Sequence, residues 1–100
     1  MQWMWTWGGE CFGYFDHEDL WTHDGKHVGH RKGDEIYSPN GRYLGQIMST
    51  DRLITQVAKN HKKVPAFEKL HDRVRYPYYP HDVGYAIYTG YENFPGPSHF

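Results

Sequence analysis

The chain has 100 residues, a formal net charge of −1 and one cysteine. This length allows one small domain with a single core. The near-zero charge excludes a general attraction to nucleic acid or membranes, and the lone cysteine excludes an internal disulfide framework. Aromatic residues make up 18% of the chain, against 38% for all apolar residues, which predicts a core of a few large rings.

The first half of the chain repeats one pattern three times, at a spacing of 16 residues. Each unit has an aromatic residue followed by Thr or Ser, then a turn pair, then an apolar residue before glycine. The units begin at Trp5, Trp21 and Tyr37, and their turn pairs are Gly8-Gly9, Asp24-Gly25 and Asn40-Gly41. Such pairs between strand-like runs predict hairpins with two-residue type I′ turns. A unit this short cannot bury its own apolar side, so the copies are expected to pack on one another.

Large rings and glycines recur at fixed places in this repeat. Trp5, Trp21 and Tyr37 are predicted to lie in the core, while Trp3 and Trp7 fit burial and exposure equally well; the alternative for all five is a platform that stacks on sugars or bases. The apolar set expected inside is Phe12, Val28, Leu44 and Val83, and the recurring glycines are Gly13, Gly29, Gly45 and Gly84. Because glycine weakens a strand interior, these positions predict bulges or close backbone approach.

A fourth unit is predicted in two separated pieces. Residues 52–55 match the entry strand of the other units, and residues 82–87 match their return strand. An insertion of residues 56–81 replaces the tight turn, and loop-closure entropy tolerates such an insertion at the surface. The predicted fold is therefore all-β, with four β-hairpin petals of 16-residue repeats in a pseudo-four-fold arrangement and a long insertion in the fourth hairpin.

One domain is predicted over residues 1–95, followed by a flexible tail at 96–100. The petals cover about residues 3–19, 20–35, 36–51 and 52–94. Residues 88–94 are expected to close the ring against Trp3 and Met4. No segment has the pattern of a signal peptide or a membrane-spanning helix, so a cytoplasmic location is expected.

Four short segments of this repeat are similar to one known family. They are Trp5-Thr6-Trp7-Gly8-Gly9, Asp24-Gly25-Lys26-His27-Val28-Gly29, Asn40-Gly41-Arg42-Tyr43-Leu44-Gly45 and Gly90-Tyr91-Glu92-Asn93-Phe94-Pro95. With them the chain resembles, over nearly its whole length, the bacterial four-fold β-flower proteins. The resemblance implies four hairpin petals around a pseudo-four-fold axis. It implies no established activity and no catalytic residues, and the Gly-Gly first turn departs mildly from the family's pattern.

The insertion is the least symmetric part of the chain and the first candidate for a binding site. Residues 56–81 hold six Lys or Arg against two Asp or Glu, a balance of +4, which leaves five against ten elsewhere. The candidate binding residues are Lys59, Lys62, Lys63, Lys69, Arg73, Arg75, Tyr76, Tyr78 and Tyr79. Basic residues interleaved with aromatics suit single-stranded nucleic acid or an acidic protein partner. The alternative is a strap that packs its tyrosines onto the petals and pairs its cations with acidic corners.

A second candidate site follows from the repeat itself. Cys11, His27, Tyr43 and Asp82 occupy equivalent positions, so they would converge near the axis if they pointed inward. Such a cluster would suit an enzyme or a small-ligand binder, and Cys11, His27 and Asp82 are types that ligate metals. The alternative is that these side chains lie on the outer side of the sheet.

Other templates for chemistry are missing from the sequence. His23, His27 and His30 form the tightest histidine cluster, but His27 and His30 lie an odd number of positions apart and face opposite sides of a regular strand. No phosphate-binding glycine loop and no G-x-S-x-G nucleophile turn is present. The sequence thus favours a small non-catalytic binding module that uses the insertion, with no cofactor, over an enzyme.

Overall fold

The computed structural model describes all 100 residues as one eight-stranded sheet without an α-helix. The strands are β1 (Gln2–Thr6), β2 (Cys11–Asp16), β3 (Asp19–Thr22), β4 (His27–Lys32), β5 (Glu35–Tyr37), β6 (Tyr43–Met48), β7 (Arg52–Gln56) and β8 (Tyr91–Asn93). Strand β1 pairs antiparallel with β2 and parallel with β7, so seven strands close into a mixed barrel. Strand β8 is an additional strand beside β7. The all-β prediction is confirmed.

The three predicted hairpins are present, but their turns differ from the prediction. In the second hairpin, the main-chain N–H of Gly25 donates to the carbonyl of Thr22 at 3.0 Å, and that of Thr22 donates to the carbonyl of Lys26 at 2.9 Å. Only the second residue of each turn pair has a positive φ, which is +96° at Gly9, +90° at Gly25 and +86° at Gly41. This is a three-residue loop with a bulged glycine, which needs one left-handed residue rather than two. The type I′ prediction is therefore wrong.

The Thr that follows the first aromatic residue of a unit accepts a hydrogen bond across the turn in the first two hairpins. Thr22 Oγ1 accepts the main-chain N–H of Lys26 at 3.0 Å, and Thr6 Oγ1 accepts that of Glu10 at 3.2 Å. Each bond spans the loop and satisfies an amide that the bulge leaves unpaired. The recurrence of Thr after the first aromatic residue thus follows from the turn geometry.

The glycines inside the strands lie where the sheet is bulged. The β1/β2, β3/β4 and β5/β6 ladders all shift register at the same place in the repeat. A Cβ on Gly13 would lie 2.0 Å from the carbonyl oxygen of Trp21, and one on Gly29 would lie 2.3 Å from that of Tyr37. The prediction of bulges with close backbone approach is confirmed for the three regular hairpins.

The return strand of the fourth hairpin is not the predicted one. Strand β7 pairs with β8, with Ile54 opposite Asn93 and Gln56 opposite Tyr91, and residues 82–87 form no strand. The insertion therefore covers residues 57–90 rather than 56–81, and we call it the strap. The main-chain N–H groups of Asp82 and Tyr85 instead donate to the carbonyls of Gly9 and Trp7 in the first hairpin turn, which places residues 82–87 against that turn and not beside β7.

Ring closure also differs from the prediction. Residues 88–94 do not pair with the first strand; instead, β1 and β7 pair directly, with Trp5 opposite Arg52 and Thr6 opposite Leu53. The main-chain N–H of Trp7 extends this contact by donating to the carbonyl of Leu53 at 2.8 Å. Closure by a parallel strand pair leaves no unpaired edge in the barrel.

The core is a cluster of eight buried apolar residues. They are Met4, Phe12, Phe15, Leu20, Val28, Ile36, Leu53 and Phe94, with Leu44 partly buried against them. Val83 is 71% exposed, so its predicted place inside is wrong, because residue 83 belongs to the strap and not to a strand. Trp21 and Tyr37 are buried as predicted, whereas Trp5 is only half-buried. Trp7 is buried and Trp3 half-buried.

The C-terminal residues 96–100, for which a flexible tail is predicted, lie against the barrel. A 3-10 turn covers Pro97–His99, and Pro97 is buried. Phe100 stacks on Phe94 at a centroid distance of 6.4 Å and meets the edge of Phe12 at 5.8 Å. These ring contacts continue the core beyond the last strand.

Candidate binding surface

The strap is fastened along the three glycine turns in reverse order. The main-chain N–H groups of Val64, Arg73 and Asp82 donate to the carbonyls of Gly41, Gly25 and Gly9 at 2.8, 2.7 and 2.8 Å. Three positions later, those of Phe67, Tyr76 and Tyr85 donate to Pro39, His23 and Trp7 at 2.9, 2.8 and 3.0 Å. Each step is nine residues along the strap and sixteen along the barrel. Residues 64–90 of the strap therefore form a second repeat, with units 64–72, 73–81 and 82–90.

The sequence contained a signal for this second repeat. Phe67, Tyr76 and Tyr85 are aromatic residues nine positions apart. The signal was missed because residues 82–87 also fit the sixteen-residue pattern, and that match assigned Tyr85 to a strand. The two periods compete for the same segment, and the hydrogen bonds from Asp82 and Tyr85 to the first turn decide in favour of the shorter one.

The turn glycines are also the places where the strap comes closest to the barrel. A Cβ would lie 2.2 Å from the Asp82 carbonyl oxygen at Gly9, 2.1 Å from that of Arg73 at Gly25, and 2.0 Å from that of Val64 at Gly41. No side chain fits at such distances. Glycine is thus required at each turn both for its positive φ and for the passage of the strap.

Two strap lysines share one carboxylate. Lys59 Nζ and Lys62 Nζ lie 2.9 and 2.8 Å from the carboxylate of Glu35, which also accepts the hydroxyl of Tyr37 at 2.9 Å. Hydrogen bonds from Lys62 and Lys59 lower the pKa of the Glu35 carboxyl from 4.5 to about 2. The start of the strap is therefore held to β5 by a charged network.

The strap arginines are paired as well, but unequally. Arg73 donates to the Asp16 carboxylate at 2.8 Å and lies over the Trp21 ring at 3.9 Å, and its hydrogen bond lowers the pKa of Asp16. Arg75 is 75% exposed and reaches the Asp24 carboxylate only at 4.0 Å. Neither Lys63 nor Lys69 makes an ion pair. Lys59, Lys62 and Arg73 are thus paired with carboxylates, as the alternative of a strap with paired cations expects.

Two of the three tyrosines in the middle strap repeat lie against the first strand. Trp3 meets Tyr79 at a centroid distance of 4.8 Å and Tyr76 at 6.3 Å, both nearly perpendicular. Tyr78 stacks on His81 at 5.6 Å. Tyr78 and Tyr79 remain 56% and 49% exposed, so about half of each side chain is open to a partner.

Two neighbouring hollows open among these rings. One is about 420 Å³ and is lined by Met1, Trp3, Tyr76, Pro77, Tyr78, Tyr79 and Pro80. The other is about 470 Å³ and is lined by His23, Arg75, Tyr76, Pro77 and Tyr78. No carboxylate lines either hollow, and Arg75 is their only side chain with a permanent charge. Because the two share three lining residues, we treat them as one surface and call it the aromatic groove.

The four residues expected near the axis do not form one site. His27 Nε2 lies 2.9 Å from Asp19 while its Nδ1 accepts the main-chain N–H of Leu70, and Tyr43 donates its hydroxyl to Gln46. Asp82 pairs with Arg52 at 3.1 Å, and Cys11 is a buried thiol whose pKa is raised by burial. Each has its own separate partners, and the contacts of the four side chains give no support to the alternative of one convergent site. None of the four belongs to the apolar core cluster.

The histidine-rich hairpin holds no metal site. His27 and His30 share the carboxylate of Asp19, at 2.9 and 3.2 Å, whereas His23 contacts the ring of Tyr78. No group of three or more His, Cys, Asp or Glu side chains in the structure could hold a metal ion. The alternative of a site from Cys11, His27 and Asp82 is therefore not supported.

Comparison of this chain with protein-family models, with curated proteins and with solved structures finds no match in any of the three. The structure also has no helix of the length and apolar character needed to cross a membrane.

Proposed function

We propose that this protein is a small non-catalytic binding module, and that its binding surface is the strap, centred on the aromatic groove. The observation that carries the proposal is the exposure of Tyr78 and Tyr79 beside Trp3, at the edge of two open hollows. Exposed rings in a concave surface lose water readily and gain stacking contacts with a partner.

The charge of the strap argues for aromatic rather than ionic recognition. Lys59, Lys62 and Arg73 already have carboxylate partners within 2.9 Å, so a phosphate or an acidic partner would compete with Glu35 or Asp16 for these cations. The cations available to a partner are Lys63 and Lys69, which make no ion pair, and Arg75, whose carboxylate neighbour is 4.0 Å away. An acidic protein or a single strand of nucleic acid remains the alternative ligand for these three.

The test uses defined ligands and a matched pair of variants. Arrays of random peptides, of glycans and of single-stranded oligonucleotides are probed with the protein and with Tyr78→Ser. We expect binding to members of one array, weakened about tenfold by the substitution, in line with the loss of one stacked ring. The control is Tyr88→Ser, which removes a 54% exposed tyrosine of the strap outside the groove and should leave binding unchanged. Equal effects of the two substitutions, or binding to no array, would refute the proposal.

We also propose that the chain is related to the four-fold β-flower proteins and has their pseudo-four-fold arrangement. The support is that three hairpins repeat the same bulge and the same glycine turn, and that β7 and β8 pair as a fourth hairpin interrupted by the strap. Superposition of each hairpin on the next in an experimental structure tests the idea: successive rotations near 90° are expected, and unequal rotations would contradict it.

A further inference from the structure

Three tryptophans of the first hairpin, Trp3, Trp5 and Trp7, lie against the strap. Trp5 donates its indole N–H to the carbonyl of Pro80 at 3.0 Å, and Trp7 donates to the carbonyl of Ala86 at 2.9 Å. Two of the three indoles thus already donate to backbone carbonyls of a strap segment that forms neither helix nor strand.

Trp3 differs from the other two in its hydrogen bonding. Its ring packs on Tyr79, as does the ring of Trp5, so both lie on the same side of β1. Its indole N–H donates to no group of the protein and is not buried. Trp3 lines the hollow of about 420 Å³, with Pro77, Pro80 and the strap tyrosines. The Trp3 indole N–H is thus an unpaired donor surrounded by aromatic and proline rings. Such a site suits a ligand that offers a carbonyl together with flat apolar groups.

We propose that the aromatic groove binds an extended, proline-containing peptide with an acidic residue, and that the indole N–H of Trp3 donates to one of its backbone carbonyls. This inference rests on the proposed function and names its ligand class. A polyproline II segment has no internal hydrogen bonds, so its carbonyls are free, and its rings pack into aromatic-lined grooves at low entropic cost.

The positive charge of the groove favours a peptide with an acidic residue beside its prolines. Arg75 is 75% exposed, its only carboxylate neighbour is 4.0 Å away, and no acidic side chain lines either hollow. A Glu or Asp of the ligand can therefore pair with Arg75 without displacing a close ion pair. A polynucleotide fits less well, because one cation in the groove cannot match a run of phosphates.

The experiment is a titration followed by ¹⁵N–¹H NMR, in which the four tryptophans give four indole signals. The probe is a synthetic proline-rich decapeptide with two glutamates at one end, and the control peptide has alanine in place of each proline. We expect the Trp3 indole signal to move progressively with the proline peptide, the Trp7 signal to stay, and the alanine peptide to bind at least tenfold more weakly.

Two conservative variants separate the contacts. Trp3→Phe keeps a ring but removes the donor, and it should weaken binding about fivefold, the worth of one hydrogen bond. Arg75→Gln, at a side chain that is 75% exposed, should weaken binding about threefold and abolish its dependence on salt. Dispersed amide spectra report that both variants are folded.

The outcomes separate this inference from the proposed function. If the proline peptide leaves the Trp3 signal in place while a glycan or oligonucleotide from the arrays moves it, the ligand class is wrong and the groove still binds. If no probe moves any signal of the groove, both proposals fail. Binding of the proline peptide with an unchanged Trp3 signal would overturn the assignment of the donor.

Discussion

The guanidinium of Arg52 lies 4.4 Å from the ring centroid of Tyr85, beneath the third repeat of the strap. Arg52 is 2% exposed, donates to the carbonyl of Val83 at 2.7 Å and pairs with Asp82 at 3.1 Å. An arginine offers several donors in a fixed plane and a flat surface for an aromatic ring, which a lysine cannot offer together. This one side chain, on a strand at the barrel closure, therefore holds three positions of the strap, Asp82, Val83 and Tyr85.

Replacing Arg52 should release that part of the strap. We expect Arg52→Lys to lower the free energy of unfolding by about 2 kcal/mol, since hydrogen bonds to a buried charged group are lost. Hydrogen exchange of the Asp82 and Tyr85 amides should quicken, while the Val64 and Phe67 amides, at the third turn, keep their protection. The control is Arg42→Lys, which changes an exposed arginine without an ion pair. Uniform loss of protection along the strap would contradict the assignment.

Gly25 tests the close passage of the strap. Gly25→Ala meets both a φ of +90° and the Arg73 carbonyl oxygen 2.1 Å from the new Cβ, whereas Gly33→Ala meets a φ of +60° with nothing within 4 Å. The backbone cost alone, about 1 to 2 kcal/mol, applies to Gly33→Ala. We expect Gly25→Ala to cost about 2 kcal/mol more, because the strap must move away. Urea denaturation measures both, and equal losses would show that the strap does not constrain the turn.

The Glu35 network predicts a defined pH dependence. The folded pKa of Glu35, about 2, lies below its ordinary value of 4.5, so its stabilisation is fully present above about pH 5 and is lost as the pH falls from 4.5 toward 2. Glu35→Gln should cost about 1 kcal/mol at pH 7, since the partner lysines are partly exposed, and almost nothing at pH 2.

The matched control for this measurement is Glu68→Gln, which removes an exposed carboxylate of the strap that makes no ion pair. Denaturation curves at pH 7, 4 and 2.5 give the difference between each variant and the parent protein. A difference for Glu35→Gln that stays constant across these three values would show that the lysine contacts are not electrostatic.

Cys11 is expected to be unreactive in the folded protein. The thiol is buried and its pKa is raised, chiefly by desolvation, so little thiolate is present at neutral pH. Iodoacetamide at pH 8 should leave the native protein unlabelled and label it completely in guanidinium chloride, as read by mass spectrometry. Rapid labelling of the native protein would instead revive a nucleophilic role for this position.

The sequence by itself determined the hairpins, because their signals are local. The sixteen-residue period, the turn glycines and the strand glycines each reflect a steric requirement within a few residues, such as the positive φ at Gly25 or the lack of room beside Gly29. The burial of Phe12 and Val28 follows from the same period. The tight pairing of Lys59, Lys62 and Arg73 with carboxylates corresponds to the strap alternative that composition alone left open.

Only the tertiary structure determined the path and the pairing of residues 57–90. Residues 82–87 fit a strand by pattern, yet the amides of Asp82 and Tyr85 bond to the first turn, and Tyr91–Asn93 takes the place beside β7. The choice depends on pairing partners more than seventy positions apart, which no local pattern encodes. The same long-range passage places Tyr78 and Tyr79 beside Trp3 and pairs Asp82 with Arg52, so the binding surface exists only once the strap has wrapped the barrel.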